Sequence, residues 1–203
     1  MNDRLQSVLQ ESAESHGHVC PRQVLGARMG LLAGDMLGVP LPQVGKRLMA
    51  LVETDGCFAD GIAAATGCTL GHRTMRLIDV GRVACIFVDL ETERAVRIAP
   101  HPESREAAGA ACPDAKSRWH GYLEAYQILP DDTLFIVQEV TLTLSVRALI
   151  SRPDARVLCD ECGEEIINER EINRDGQLLC RVCAGEMTYY TVQSTLKARG
   201  TTA

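Results

Sequence analysis

Apolar residues recur on one side of residues 3–14 at Leu5, Val8 and Leu9, a spacing that predicts an amphipathic helix. A second helix is predicted from Pro21, because proline suits a first helical turn and Leu25, Met29, Leu32 and Met36 follow at helical intervals. Gly26, Gly30 and Gly34 lie every fourth residue along another face of that helix. Such a ridge lets a second backbone approach closely. Arg28 and Asp35 interrupt it, so it predicts tight packing in a soluble core rather than a membrane helix pair.

From Lys46 the pattern changes. LMALVET (48–54) predicts a strand, and CFADGIAAATG predicts a short Ala-rich helix with Gly67 as its C-cap. TMRLIDV (74–80) and VACIFVDL (83–90) flank Gly81-Arg82 and predict a hairpin. RAVRIA (94–99) predicts a further strand, and residues 103–110 and 117–128 predict helices, the second carrying Trp119, Tyr122 and Tyr126. Pro130-Asp131-Asp132 ends that run, and TLFIVQEVTLTLSV then alternates over Val140, Leu142, Leu144 and Val146 as a strand would. The fold class expected is an α+β core with mixed helices and an antiparallel-rich sheet, over residues 1–150. Ser151-Arg152-Pro153-Asp154 is the expected linker to a small second domain, residues 151–203.

Composition narrows the function. With 203 residues, the chain is long enough for one medium domain and an appendage. Aromatics make up 4 % of it, so the core must rest on aliphatic residues. A net charge of −6 argues against gripping nucleic-acid phosphates. The N-terminus has no apolar run typical of a signal peptide, and no stretch is long and apolar enough to span a bilayer, so a cytoplasmic location is expected. Nine cysteines is an odd count, and in a reducing compartment they point to metal ligands or reactive thiols rather than disulfides.

The strongest motif is CDEC (159–162), seventeen intervening residues, then CRVC (180–183). Two such pairs predict a structural zinc held by Cys159, Cys162, Cys180 and Cys183, each pair wrapping its backbone around one side of a tetrahedral ion. Gly163 supplies the permissive backbone after the first pair, and Asp175-Gly176 turns a hairpin between the pairs. A helix holding the second pair in its first turn would complete a treble clef. The tail carries seven Lys or Arg against nine Asp or Glu, which favours packing against protein over binding nucleic acid.

In the core, Cys85 lies in a strand pattern and reads as a small buried hydrophobe, and nothing marks Cys112 as functional. Cys20 and Cys57 each stand at the start of a predicted helix, where unpaired N–H groups and the helix dipole favour a thiolate. Cys68 lies just past the end of the second of these helices. His16 and His18 precede Cys20 at alternate positions, and imidazole with thiolate suits zinc and other late transition metals.

The motifs HGHVCP (16–21) with LGARMG, VETDGCFADGI (52–62) and TGCTLG (66–71) together resemble the FmdE family, named for a component of the formylmethanofuran dehydrogenase of methanogens. The resemblance covers roughly residues 5–145. It implies metal binding in the core, a homodimer and a cleft whose chemical groups are His16, His18, Cys20, Cys57 and Cys68, with Asp55 and Asp60 at acidic positions. Arg22 stands where the family often has Gly, and His72 where a Lys is common. The first bears on access to the helix start, and the second removes a cation or adds a ligand.

The leading functional expectation is therefore a metal-binding protein with a second transition metal in a core His/Cys cleft. It would serve molybdenum- or tungsten-dependent formylmethanofuran dehydrogenase-type metabolism, with that metalloenzyme as partner. An alternative is a thiol-dependent enzyme using Cys57 or Cys20 as nucleophile. Another is a regulatory module whose finger recruits a partner. Neither a Gly-rich phosphate loop nor a Ser-His-Asp pattern is evident.

Overall fold

Gly26 and Gly61 are where two helices come close enough for their backbones to touch. In the computed structural model, which describes residues 3–150 and 155–195, the predicted glycine-ridged helix is α2 (Pro21–Leu37) and the Ala-rich helix is α3 (Cys57–Thr66). A Cβ added at Gly26 would lie 2.1 Å from the Phe58 carbonyl oxygen, and one at Gly61 would lie 2.2 Å from that of Gln23. Gly30 faces Ala65 and Thr66 further along both helices, so the two run side by side in the same direction. Their N-termini are neighbours as a result. The ridge is a packing device, as its spacing predicts.

The chain divides into two compact units, Met1–Val146 and Arg147–Ala203. In the first, the α2–α3 pair packs on a five-stranded sheet, and α1 (Asp3–His16) packs against that pair. Its strands are β1 (Leu48–Val52), β2 (Met75–Leu77), β3 (Cys85–Asp89), β4 (Ala95–Pro100) and β5 (Phe135–Val140), in the spatial order β2-β1-β3-β4-β5. β1 pairs parallel to β2, and the other neighbours are antiparallel. Between β4 and β5 the chain forms α4 (Ser104–Ala111), α5 (Arg118–Ile128) and the single turn α6 (Asp131–Leu134). One apolar core runs from Leu5 and Leu9 of α1 through Val24 and Met29 of α2 and Phe58 and Ile62 of α3. It continues to Phe87 and Ile98 of the sheet. The α+β class and antiparallel-rich sheet agree with the expectation from sequence.

Two strand expectations fail. Residues 74–80 and 83–90 do not form a hairpin, because β2 and β3 lie on opposite sides of β1. The Ile78 N–H donates to the Val52 carbonyl, and the Val80 and Arg82 N–H groups donate to that of Glu53. Those donors are committed to the end of β1 and cannot pair across a tight turn. The strand expected to run on to Val146 ends at Val140. A short helix, α7 (Val146–Ile150), follows and crosses the division between units. The linker expected at 151–154 lies outside the described residues. Among the described residues no helix is long and apolar enough to cross a membrane.

Arg28, which breaks the glycine stripe in sequence, ties α2 to the end of α5. It donates to the carbonyls of Tyr126 at 2.8 Å and Leu129 at 2.6 Å, and to Asp131 at 2.6 Å. A cation at a helix C-terminus also meets the negative end of its dipole. On the sheet, Arg97 of β4 holds the buried Glu53 through two hydrogen bonds of 2.7 and 2.9 Å. At the end of β3, Asp89 is fully buried and accepts two bonds from Arg47, one from the Glu91 N–H and one from the Thr92 hydroxyl.

Two measurements test these contacts. Gly26→Ala is expected to cost about 3 kcal/mol in urea unfolding, since a carbonyl in a packed helix cannot move aside. Gly109→Ala, on exposed α4 with nothing within 4 Å, should instead gain roughly 0.5–1 kcal/mol; equal effects would refute the backbone contact. For Asp89 the Arg47 hydrogen bonds hold the carboxyl down from 3.8 to about 2. A lowered folded-state pKa stabilises the fold above pH 4, and that stability drains away as pH falls through 2. The contribution is about 2 kcal/mol, so the wild type should lose that much more stability than Asp89→Asn between pH 5 and 2. Parallel pH profiles would disprove it.

Candidate functional site

The second unit has little apolar core of its own, a cluster of Cys159, Ile166, Leu179 and Ala184. Two small hairpins build it, β6 (Arg156–Leu158) with β7 (Glu165–Ile167), and β8 (Ile172–Arg174) with β9 (Gln177–Leu179). The first Cys pair sits in the turn between β6 and β7, where Gly163 takes a φ of 75° that a side chain would resist. Its N–H closes onto the Cys159 carbonyl at 2.9 Å. The Asp160 carboxylate accepts the Leu178 N–H at 2.6 Å and so clamps the two hairpins together. The predicted turn at Asp175-Gly176 connects β8 and β9.

The four sulfurs of Cys159, Cys162, Cys180 and Cys183 all lie within 4.8 Å of one another. Four thiolates on one zinc stand roughly 3.8 Å apart, given a Zn–S distance of about 2.3 Å, so this set fits a tetrahedral ion. Its electrostatics agree. The backbone N–H groups of Cys162 and Cys180 point at Cys159 and bring its pKa down from 9.0 to about 6. Cys183, facing the sulfur of Cys180 and then burial, is pushed up. A cluster that favours one thiolate and resists the next is one that a cation completes.

The helix expected after the second pair is replaced by turns. The Ala184 N–H reaches the Cys180 carbonyl at 2.8 Å, a single helical turn. Gly185 then enters the left-handed region with a φ of 72°. Arg174 takes the Ala184 carbonyl at 2.7 Å, and no further helix forms among the described residues that follow. The finger has both knuckles of a treble clef without its regular helix.

In the first unit, the adjacent starts of α2 and α3 bring Cys20 and Cys57 together. Cys20 is the N-cap of α2, with its backbone N–H donated to the side chain of buried Gln23 at 2.7 Å. Gln23 in turn donates to the Ser12 hydroxyl of α1 at 2.9 Å, so α1 braces the start of α2. Cys57 opens α3, and its sulfur neighbours that of Cys20. Both line a cavity of about 450 Å³ with His18. Burial, then the Cys20 sulfur, pushes the Cys57 thiol above its ordinary pKa. The thiolate expected from its helix-start position is outweighed by these two effects.

The remaining predicted residues separate. His16 is 5.0 Å from the His18 ring between centroids, but its Nδ1 is paired with Asp60 at 2.9 Å and it does not line the cavity. Cys68 is not in the cleft. The ten residues of α3, at about 1.5 Å each, carry it away from Cys57. There its sulfur accepts from the Gln43 amide at 3.2 Å and donates to the Leu48 carbonyl at 3.4 Å. Burial pushes the Cys68 thiol up. Asp55 is exposed in the loop before α3, and His72 lies in an exposed turn with its N–H on the Thr69 hydroxyl. Cys85 is buried as expected. Among the described residues, the four finger cysteines are the set whose ligand atoms converge; His18, Cys20 and Cys57 share a wall without doing so.

Part of the cavity lining is aromatic. Trp119, Tyr122 and Tyr126 of α5 supply it, with Tyr122 and Tyr126 stacked at 5.7 Å and 7°. Arg22 and Arg105 add two cations to the lining. These residues were not assigned to a site from sequence. Their signal was the spacing 119, 122, 126, one helical face holding three of the chain's few aromatics.

A model of the family described as "FmdE, Molybdenum formylmethanofuran dehydrogenase operon" matches residues 15–136. A probable S-adenosyl-L-methionine-binding protein of Archaeoglobus fulgidus is 30 % identical over 93 % of this chain and 55 % of its own length. The chain thus spans about half of that relative. The solved structure of a tungsten formylmethanofuran dehydrogenase FmdE-like protein from Syntrophus aciditrophicus is similar with a TM-score of 0.56 and 22 % identity. That similarity covers 92 % of this chain and 95 % of the other, and it speaks for the fold alone.

Proposed function

The chain belongs to the FmdE family, and on that footing we propose that it is a metal-binding accessory protein with a zinc-loaded finger and a ligand-binding thiol cleft. The observation that carries the reading is the convergence of the four finger sulfurs. Zinc there supplies the folding energy that a four-residue apolar cluster cannot. In the core, Cys20, Cys57 and His18 are the residues that would hold a second, soft transition metal, with His16 positioned by Asp60 beside them. The core donors do not converge as the finger's do, so this second ion is the less prepared of the two. The family description, which names a molybdenum formylmethanofuran dehydrogenase operon, supports a role beside such an enzyme; in this reading the chain works there as a cytoplasmic homodimer.

A second reading draws on the aromatic wall. Aromatic faces attract a cationic ligand, and the two arginines suit a carboxylate. The Archaeoglobus relative's description, S-adenosyl-L-methionine binding, names a ligand with both features. Titration of this chain with S-adenosyl-L-methionine should give saturable binding that Trp119→Ala weakens about tenfold. No heat and no shift in melting temperature would exclude it.

Metal analysis tests the main reading. The purified chain is expected to retain zinc that Cys159→Ser and Cys180→Ser remove, and to take up a second equivalent that Cys20→Ser and Cys57→Ser lose. Zinc uptake confined to the finger would end the core-metal part. Tagged protein from its own cells should sediment as a dimer and co-purify with the dehydrogenase; a monomer without it would end the accessory role.

A further inference from the structure

Cys20 and Cys57 are brought side by side on one cavity by the adjacent starts of α2 and α3. The Cys57 sulfur neighbours that of Cys20, and both line the same cavity. Each stands at a helix start, and the helix starts are locked by the Gly26 and Gly61 backbone contacts. A disulfide requires Cα atoms about 4.4–6.8 Å apart and side chains aimed at each other. Two parallel helices in backbone contact are an arrangement that can meet this without moving either element. Both thiols are free. Both line the cavity, but Cys57 is half-buried and the more open to a small molecule, whereas Cys20 is only 7 % exposed. One sulfur is placed to meet a reactant and the other to resolve it.

We infer that Cys20 and Cys57 form a redox pair, closing to a disulfide and reopening by exchange with small-molecule disulfides and thiols that enter the cleft. In the closing direction, the Cys57 sulfur, as thiolate, attacks one sulfur of a small-molecule disulfide and expels the other as a thiolate. The Cys20 thiol gives its proton to solvent, and its sulfur then displaces the bound half from Cys57. Two protein thiols are oxidised, and one small disulfide is reduced to two thiols. Reopening is the reverse reaction with two molecules of thiol. The closed form has no thiolate to offer in the cleft, so the pair decides when the cleft can take a soft metal. That last consequence rests on the core-metal reading; the exchange itself does not.

The test uses the full chain with its finger loaded with zinc, incubated in mixtures of reduced and oxidised glutathione, acid-quenched and mapped by peptide mass spectrometry. The expected result is joint loss of the free Cys20 and Cys57 thiols into one cross-linked peptide, restored by dithiothreitol, ahead of any adduct on Cys112. In Cys20→Ser the resolving sulfur is gone, and a persistent glutathione adduct on Cys57 should replace the cross-link. If wild-type Cys57 stays unmodified, or keeps its adduct while Cys20 remains free, the proposal is overturned; this arm needs no variant to fold. Repeating the wild-type reaction with added zinc separates the two readings. Slower closure supports metal and disulfide competing for the same sulfurs. Closure at an unchanged rate leaves the redox pair standing and removes the cleft metal.

Discussion

The backbone contact between α2 and α3 sets the position of nearly every group in the core that can do chemistry. Glycine at Gly26 and Gly61 lets carbonyl oxygens of one helix occupy the space where the other would carry a Cβ. Helices ordinarily pack with their axes 8–10 Å apart, side chain against side chain. Here the separation at the crossing is set by main-chain atoms, and because the helices run in the same direction it is their N-termini that meet. Cys20 and Cys57 face each other for that reason and for no local reason of their own. Gln23, one turn into α2, adds the second constraint by holding the Cys20 N–H and reaching Ser12 of α1. Arg28, one turn further, pulls in the end of α5, whose aromatic face closes the cavity. One face of α2 thus supports the thiols, and another supports the helix that carries the aromatic lining.

Much of this was written in local spacing. The glycine ridge, the proline start of α2, Gly67 after α3 and the turn at Asp175-Gly176 follow from rules spanning fewer than ten residues, and each is where it was expected. What spacing did not convey was pairing. Residues 74–90 look like a hairpin because two β-rich runs flank a glycine, yet their turn donors belong to Val52 and Glu53, which are distant in sequence. The same limit applies to Cys68. Its motif stands beside the others in the chain, but α3 is a rigid rod and delivers it to a buried pocket made by Gln43 and Leu48. The aromatic wall was visible as a helical stripe, but its target was not, since nothing local says which helix it will face.

The two cysteine sites solve different physical problems. The finger's hairpins have almost no interior, so its four thiols must do the work of a core. Their geometry is correspondingly complete, with sulfurs gathered and N–H groups aimed at Cys159. The core unit needs no such help. Its apolar cluster runs across three helices and the sheet and does not depend on the cleft thiols. Cys20 and Cys57 are therefore spared a structural role, and a pair of neighbouring thiols, with one side open to a cavity, can bind or react without the fold depending on the outcome.

That independence bears on how the family relationship should be used. The match over residues 15–136 covers the thiol pair and the aromatic helix together, and stops before the finger. What occupies the cleft is a question about its lining rather than about zinc in the tail. The lining combines soft sulfur, an imidazole, two guanidinium groups and three aromatic faces. A bare cation would use the first two and leave the rest idle. A small organic molecule bearing an anionic group would use the arginines and the aromatic wall, and would bring its reactive end up against the thiols. The cavity makes better physical sense as a place where a metal or a disulfide at Cys20 and Cys57 meets a bound organic ligand than as a metal store alone.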